Sequence, residues 1–112
     1  MNEHELLLER INLLEYHQKL LIKLLKNPEL KFYQLVIENG ITKQEKEKFY
    51  YLCDELSMKL EKQKAEGYVY FQPLFDELSA FLPTELSMKE VINACLVQNI
   101  YKPLFLELAK YL

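Results

Sequence analysis

The residues with the most chemistry to offer in this chain are two cysteines, two histidines and one arginine, and their spacing fits no catalytic or ligating pattern. Cys53 and Cys95 lie far apart with no CxxC context, so neither a disulfide framework nor a thiolate metal site is expected. Both read as buried thiols in a reducing cytoplasm. His4 and His17 fall on one predicted helix without an HExxH pattern, which leaves a metal centre short of convergent ligands. His17 also has no nucleophile near it in sequence, so a general base there has nothing to act on. The carboxylates of Asp54 with Glu55, and of Asp76 with Glu77, are adjacent, and adjacent helical positions point in different directions rather than into one site. Two glycines are too few for a phosphate cradle. The expectation is a protein that is not an enzyme and takes no cofactor.

Charge narrows the partners. The net charge is −3, from 14 basic and 17 acidic residues scattered in alternating sign, which disfavours a nucleic-acid or anionic-membrane surface. Arg10 is the only arginine, which argues against guanine readout. Helix pairs within residues 41–60 and 86–112 invite comparison with helix-turn-helix readers, yet the last helix offers only Lys102 and Lys110 among apolar and acidic residues.

The elements that would position these groups are legible because the punctuation is sparse. A first helix runs from Glu3 to Lys26. A second takes Asn27 as cap and Pro28 as its first helical residue, and ends at Gly40. A third begins at Thr42, where Glu45 closes a capping box, and continues to Gly67; its last turns are charged and read as a solvated extension that projects or meets another chain. After the aromatic run Tyr68 to Phe71, Gln72 and Pro73 open a fourth helix, which Pro83 closes. Ser87 and Glu90 form a second capping box for a fifth helix, ending near Asn99, and a sixth runs from Lys102 or Pro103 to Leu112. The pentapeptide ELSMK occurs at 55–59 and 85–89, but once inside a helix and once at a cap, so it is no structural repeat. The fold class is all-α: a single domain, 1–112, forming a compact bundle of about six helices with a long N-terminal helix.

Half of the 112 residues are apolar, with eight Tyr and six Phe, more than a lone chain of this size hides when it buries about two thirds of its surface. Homo-oligomerisation is expected, and the first helix is where it is expected. Leu7, Ile11, Leu14, Leu21 and Leu25 follow heptad spacing, with Gln18 in the same row, while Leu6, Leu13, Leu20 and Leu24 form a second seam that includes His17. One seam can face the protein's own core and the other a second subunit, or both can be wrapped by the same domain. Gln18 and His17 either fix register across an interface or sit at the stripe's edge in water. Tyr68, Tyr70 and Phe71 form the candidate partner surface; the competing readings are an internal plug and a base-stacking platform.

The segments LLEYHQKLLIKLL, FYQLVIENGITKQE, CDELSMKLEKQKAEGYVYF and LSMKEVINACLVQNIYKPLFLELAKYL resemble the YhaI-like family of small cytosolic proteins from bacilli, whose function is unknown. That resemblance implies an all-helical fold and homo-oligomers, and carries no catalytic residue. Asn99 stands where the family pattern leads one to expect a glycine. No window reaches the ~18 uncharged apolar residues of a membrane span, and the N-terminus lacks the basic start and apolar run of a signal peptide, so a soluble cytoplasmic protein is expected. The functional expectation is a non-enzymatic protein-binding module of adaptor, inhibitor or antitoxin type, binding itself and a protein with a basic surface. The alternative is a nucleic-acid-binding transcriptional regulator.

Overall fold

Asn2 starts the first helix because its side-chain oxygen accepts the Glu5 N–H at 2.8 Å, filling one of the donors a helix start leaves orphaned. The computed structural model describes residues 2–112, and among these it shows six α-helices, a closing 3-10 turn and no strand. Helix α1 spans Glu3–Lys26, α2 Lys31–Glu38, α3 Lys43–Ala65, α4 Gln72–Phe81, α5 Met88–Gln98 and α6 Lys102–Leu108, with the 3-10 turn at Ala109–Tyr111.

The stop signals work as a set. Gly40 and Gly67 take positive φ, and each allows two amide groups to turn back onto the last helical carbonyls: Ile41 onto Val36 and Gly40 onto Ile37, Tyr68 onto Gln63 and Gly67 onto Lys64. Asn99 does the same at φ 60, with Ile100 bonding to the Cys95 carbonyl and Asn99 to that of Leu96. Asparagine tolerates this conformation better than other residues with a Cβ, and so replaces the expected glycine without changing the turn. At Thr42 the capping box is complete, its hydroxyl accepting from Glu45 N–H while the Glu45 carboxylate accepts from Thr42 N–H, both at 3.0 Å. At Ser87 only half of the expected box forms. The Ser87 hydroxyl accepts the Glu90 N–H, but the Glu90 carboxylate turns to that hydroxyl rather than to the backbone.

The start of α2 differs from the expectation. Asn27 closes α1 by bonding to the Lys23 carbonyl, and its side chain accepts the Glu29 N–H, so residues 27–30 form a turn and the helix begins only at Lys31. No local side chain caps it. Its Phe32 and Tyr33 amides are instead both taken by the side-chain oxygen of Gln98, at 2.9 and 3.2 Å, from the end of α5. Tertiary structure has supplied the cap that sequence-local reasoning assigned to Asn27.

The buried side chains form one cluster, drawn mainly from α3 to α6, with Phe32 and Val36 from α2 and only Leu20 from α1. Helix α2 lies between α1 and α5, while α6 packs on α3, α4 and α5. The radius of gyration is 15.9 Å, against about 13 Å for a compact chain of this length. The longest axis is 53 Å, because α1, at ~1.5 Å per residue, is about 36 Å long and extends past the core.

Replacing Gln98 with Ala should lower unfolding free energy by about 1–2 kcal/mol, since two part-buried amides lose one shared acceptor. Urea unfolding of the variant checks this, and a midpoint equal to the parent's would mean that water caps α2 as well as the amide does.

Candidate interaction surface

The two seams of α1 meet different fates. Of the second seam, Leu20 is buried and Leu13 and Leu24 are half-buried, and His17 Nε2 lies 2.8 Å from the Ile41 carbonyl. A carbonyl only accepts, so Nε2 carries the hydrogen of that bond. His17 is thus a clasp between α1 and the α2–α3 turn rather than an edge residue in water. Lys23 adds a contact over the Tyr33 ring at 5.9 Å.

The first seam is open to solvent along its whole length. Leu7, Ile11, Leu14, Leu21 and Leu25 are all exposed, Leu14 at 67% and Leu25 at 77%, and Gln18 is exposed in the same row. Leu8 and Ile22 widen the stripe on one flank. Their contribution was missed in sequence, although a third apolar position beside a two-position seam is the pattern of a helix face broader than a narrow coil. Monomeric proteins rarely expose contiguous apolar patches beyond a few hundred Å². The stripe on α1 is a run of exposed apolar side chains along one helix face.

The aromatic turn divides. Tyr68 and Tyr70 are exposed, as is Val69 between them, but Phe71 is 2% exposed and belongs to the core. Phe71 is corrected out of the candidate partner surface. The reason is geometric: Phe71 is the residue before α4, its N–H donates to the Tyr111 hydroxyl at 2.7 Å, and its ring turns inward beneath Lys64. Tyr70 then stands edge-on to Tyr111 at 5.9 Å, which holds one face of the exposed turn.

Under this turn sits a buried carboxylate. Glu107 on α6 receives Lys64 at 3.2 Å and Lys110 at 2.9 Å. The hydrogen bond from Lys110 is the main reason its carboxyl is held below the usual range, against an opposing push from burial. The end of α3 is exposed as expected, yet it does not project freely, because Lys64 ties it to α6.

Two further clusters bear on chemistry. Lys46 stands over Tyr16, Tyr33 and Tyr50 at 5.4, 5.6 and 5.4 Å, an ammonium enclosed by three rings from three helices. Burial, then Lys23, lowers the Lys46 pKa, and burial pushes Tyr16 up to about 12. No sequence signal joins these positions. Beside them lies a cleft of about 240 Å³, lined chiefly by apolar side chains such as Phe32, Phe81 and Leu86, with Glu45, Lys46 and Lys48 as its charged lining. Cys53 and Cys95 are fully buried, and burial raises both thiols, Cys95 to about 12, so each is protonated at neutral pH. Among the described residues no group of three His, Cys, Asp or Glu side chains is placed to hold a metal ion, and no helix is long and apolar enough to cross a membrane.

A family profile described as a protein of unknown function, DUF1878, matches residues 4–112. The match takes in the exposed seam of α1, the aromatic turn and the Glu107 cluster alike.

The Glu107 cluster gives the turn a pH signature. Because the folded-state pKa is depressed, its stabilisation is present above the ordinary carboxyl pKa of about 4.5 and is lost as pH falls through the lower folded value. Glu107→Gln should cost about 1–2 kcal/mol at pH 7 and less at pH 3. Equal losses at both pH values in urea titrations would show that the ion pairs contribute nothing.

Proposed function

The chain belongs to the DUF1878 family, and we propose that it is a non-enzymatic protein-binding module that assembles with itself through α1. The observation that carries this reading is the open seam of Leu7, Ile11, Leu14, Leu21 and Leu25 on a helix whose neighbouring seam is docked from Leu13 to Leu24, with Leu6 left exposed. Leu20 is the one fully buried side chain of this 24-residue helix, and the residues of the open seam have no cover within the chain.

The reading extends to a second contact. Tyr68, Val69 and Tyr70 offer exposed area on a turn braced by Tyr111, the kind of rigid aromatic contact that interfaces favour. A partner with a basic surface suits the net charge of −3 and would be masked in the manner of an adaptor, inhibitor or antitoxin. Kinship with the YhaI-like proteins of bacilli and a cytoplasmic setting complete the reading. The two protonated, enclosed thiols favour it over thiol-based catalysis.

Sedimentation at tens of micromolar is the test. The parent chain is expected to sediment as an oligomer, and Leu14→Glu or Leu21→Glu as a monomer that keeps its helical circular dichroism, because both positions lie outside the core. A strictly monomeric parent would remove the basis of the proposal.

A further inference from the structure

Resting on that reading, we infer that the occupant of the α1 seam is a second copy of α1 lying parallel and in register. In heptad terms Leu7, Leu14 and Leu21 take d positions, and Ile11, Gln18 and Leu25 take a positions. Leucine at every d, with β-branched Ile11 and a single polar Gln18 among the a positions, suits two strands in a fixed register. Seven exposed apolar side chains on α1 lie at a, d or e, enough to approach the roughly 800 Å² per partner of a stable interface.

Orientation follows from three side chains and from where the body of the protein sits. In a parallel pair each a residue meets its own copy, so Gln18 faces Gln18, and two amides can donate and accept across the layer. In an antiparallel pair a faces d, and every d here is leucine, which leaves the amide buried without a partner, a cost of about 1–3 kcal/mol. Arg10 at g and Glu15 at e stand five residues apart, the spacing at which g of one parallel helix meets e of the next heptad on the other. Turning one helix over brings Glu15 toward Glu15 and Arg10 toward Leu24.

The body docks along the c and g side, through Leu13, His17, Leu20 and Leu24. A parallel pair puts g of one helix beside e of the other, so the two bodies lie on opposite flanks and each faces the apolar e residues, Leu8 and Ile22, of its partner. An antiparallel pair puts g beside g and crowds both bodies onto one flank. The opposing consideration is the acidic start of α1, Glu5 and Glu9, against its basic end, Lys19, Lys23 and Lys26. Those residues sit at b and f, facing away from the seam. Across two helices of ~10 Å diameter they are separated by more than the ~8 Å screening length at physiological salt, so they decide less than Gln18 does.

Disulfide trapping in the full chain tests this, because the native thiols are fully buried and leave added ones to react alone. Leu7→Cys by itself and Leu25→Cys by itself should each give a covalent dimer under mild oxidation, and a mixture of the two should give no 7-to-25 product. A predominant 7-to-25 product would overturn the parallel arrangement while leaving self-assembly standing. An oligomer by sedimentation that cross-links at neither position would overturn the seam as the contact. A monomer by sedimentation overturns both this inference and the proposed function.

Discussion

How α2 is held decides what α1 can present. The short helix α2 is gripped at both ends by partners distant in sequence: Gln98 takes its first amides, and the turn after Gly40 aims the Ile41 carbonyl at His17. Between those grips Phe32 and Val36 enter the core while Tyr33 remains half-exposed beneath Lys23 and Lys46. Because α1 packs on α2 and contributes one buried side chain, the rotation of α1 about its axis is set by His17, Leu20 and the α2 surface. Had that rotation differed by one helical position, about 100°, the other seam would have been docked. The face left open is thus a consequence of α2, not of α1 alone.

A similar logic runs at the opposite end of the molecule. Helix α6 is locked to α3 by polar contacts at both ends, Tyr101 near its start and Glu107 in its last turn. The Tyr101 hydroxyl lies 2.6 Å from the Asp54 carboxylate, to which it donates, and 3.1 Å from the Tyr50 carbonyl. Its backbone is left-handed at φ 48, a conformation that costs a bulky residue roughly 1–2 kcal/mol. That strain persists because two hydroxyl contacts and the following Lys102 and Pro103 turn over-determine the position. With α6 fixed, Tyr111 is held where it can receive the Phe71 amide, and the exposed aromatic turn inherits its shape from there.

Legibility in the sequence tracked the range of the interactions involved. Thr42 with Glu45, Gly40, Gly67, Asn99 and the proline starts are local devices, and the helices they delimit, including the long α1, were placed from spacing alone. The start of α2 was misplaced because its cap comes from Gln98, more than sixty residues away, while Asn27 satisfied a different turn. Phe71 was grouped with Tyr68 and Tyr70 by composition, although residues in a turn need not share a face. The tyrosine enclosure around Lys46 is not legible in sequence, since Tyr16, Tyr33 and Tyr50 lie on three separate helices whose mutual packing local spacing does not reveal. The seam itself was visible as heptad spacing. Which of the two seams stays open was not, because that choice belongs to tertiary docking.

The open seam and the enclosed lysine are linked by one economy of burial. Lys46, Tyr16 and Tyr33 line the groove between α1 and the body with groups that are apolar at their faces and polar at their tips, so α1 is fastened there by cation–π contacts and a single imidazole bond together with Leu20 and the half-buried Leu13 and Leu24. An attachment of that kind needs little apolar area. Leu7, Ile11, Leu14, Leu21 and Leu25 are left on the outer face, exposed. A helix held by directional contacts and a few leucines on one side and lined with exposed leucines on the other keeps an unburied apolar face, whose hydration is unfavourable in proportion to its area.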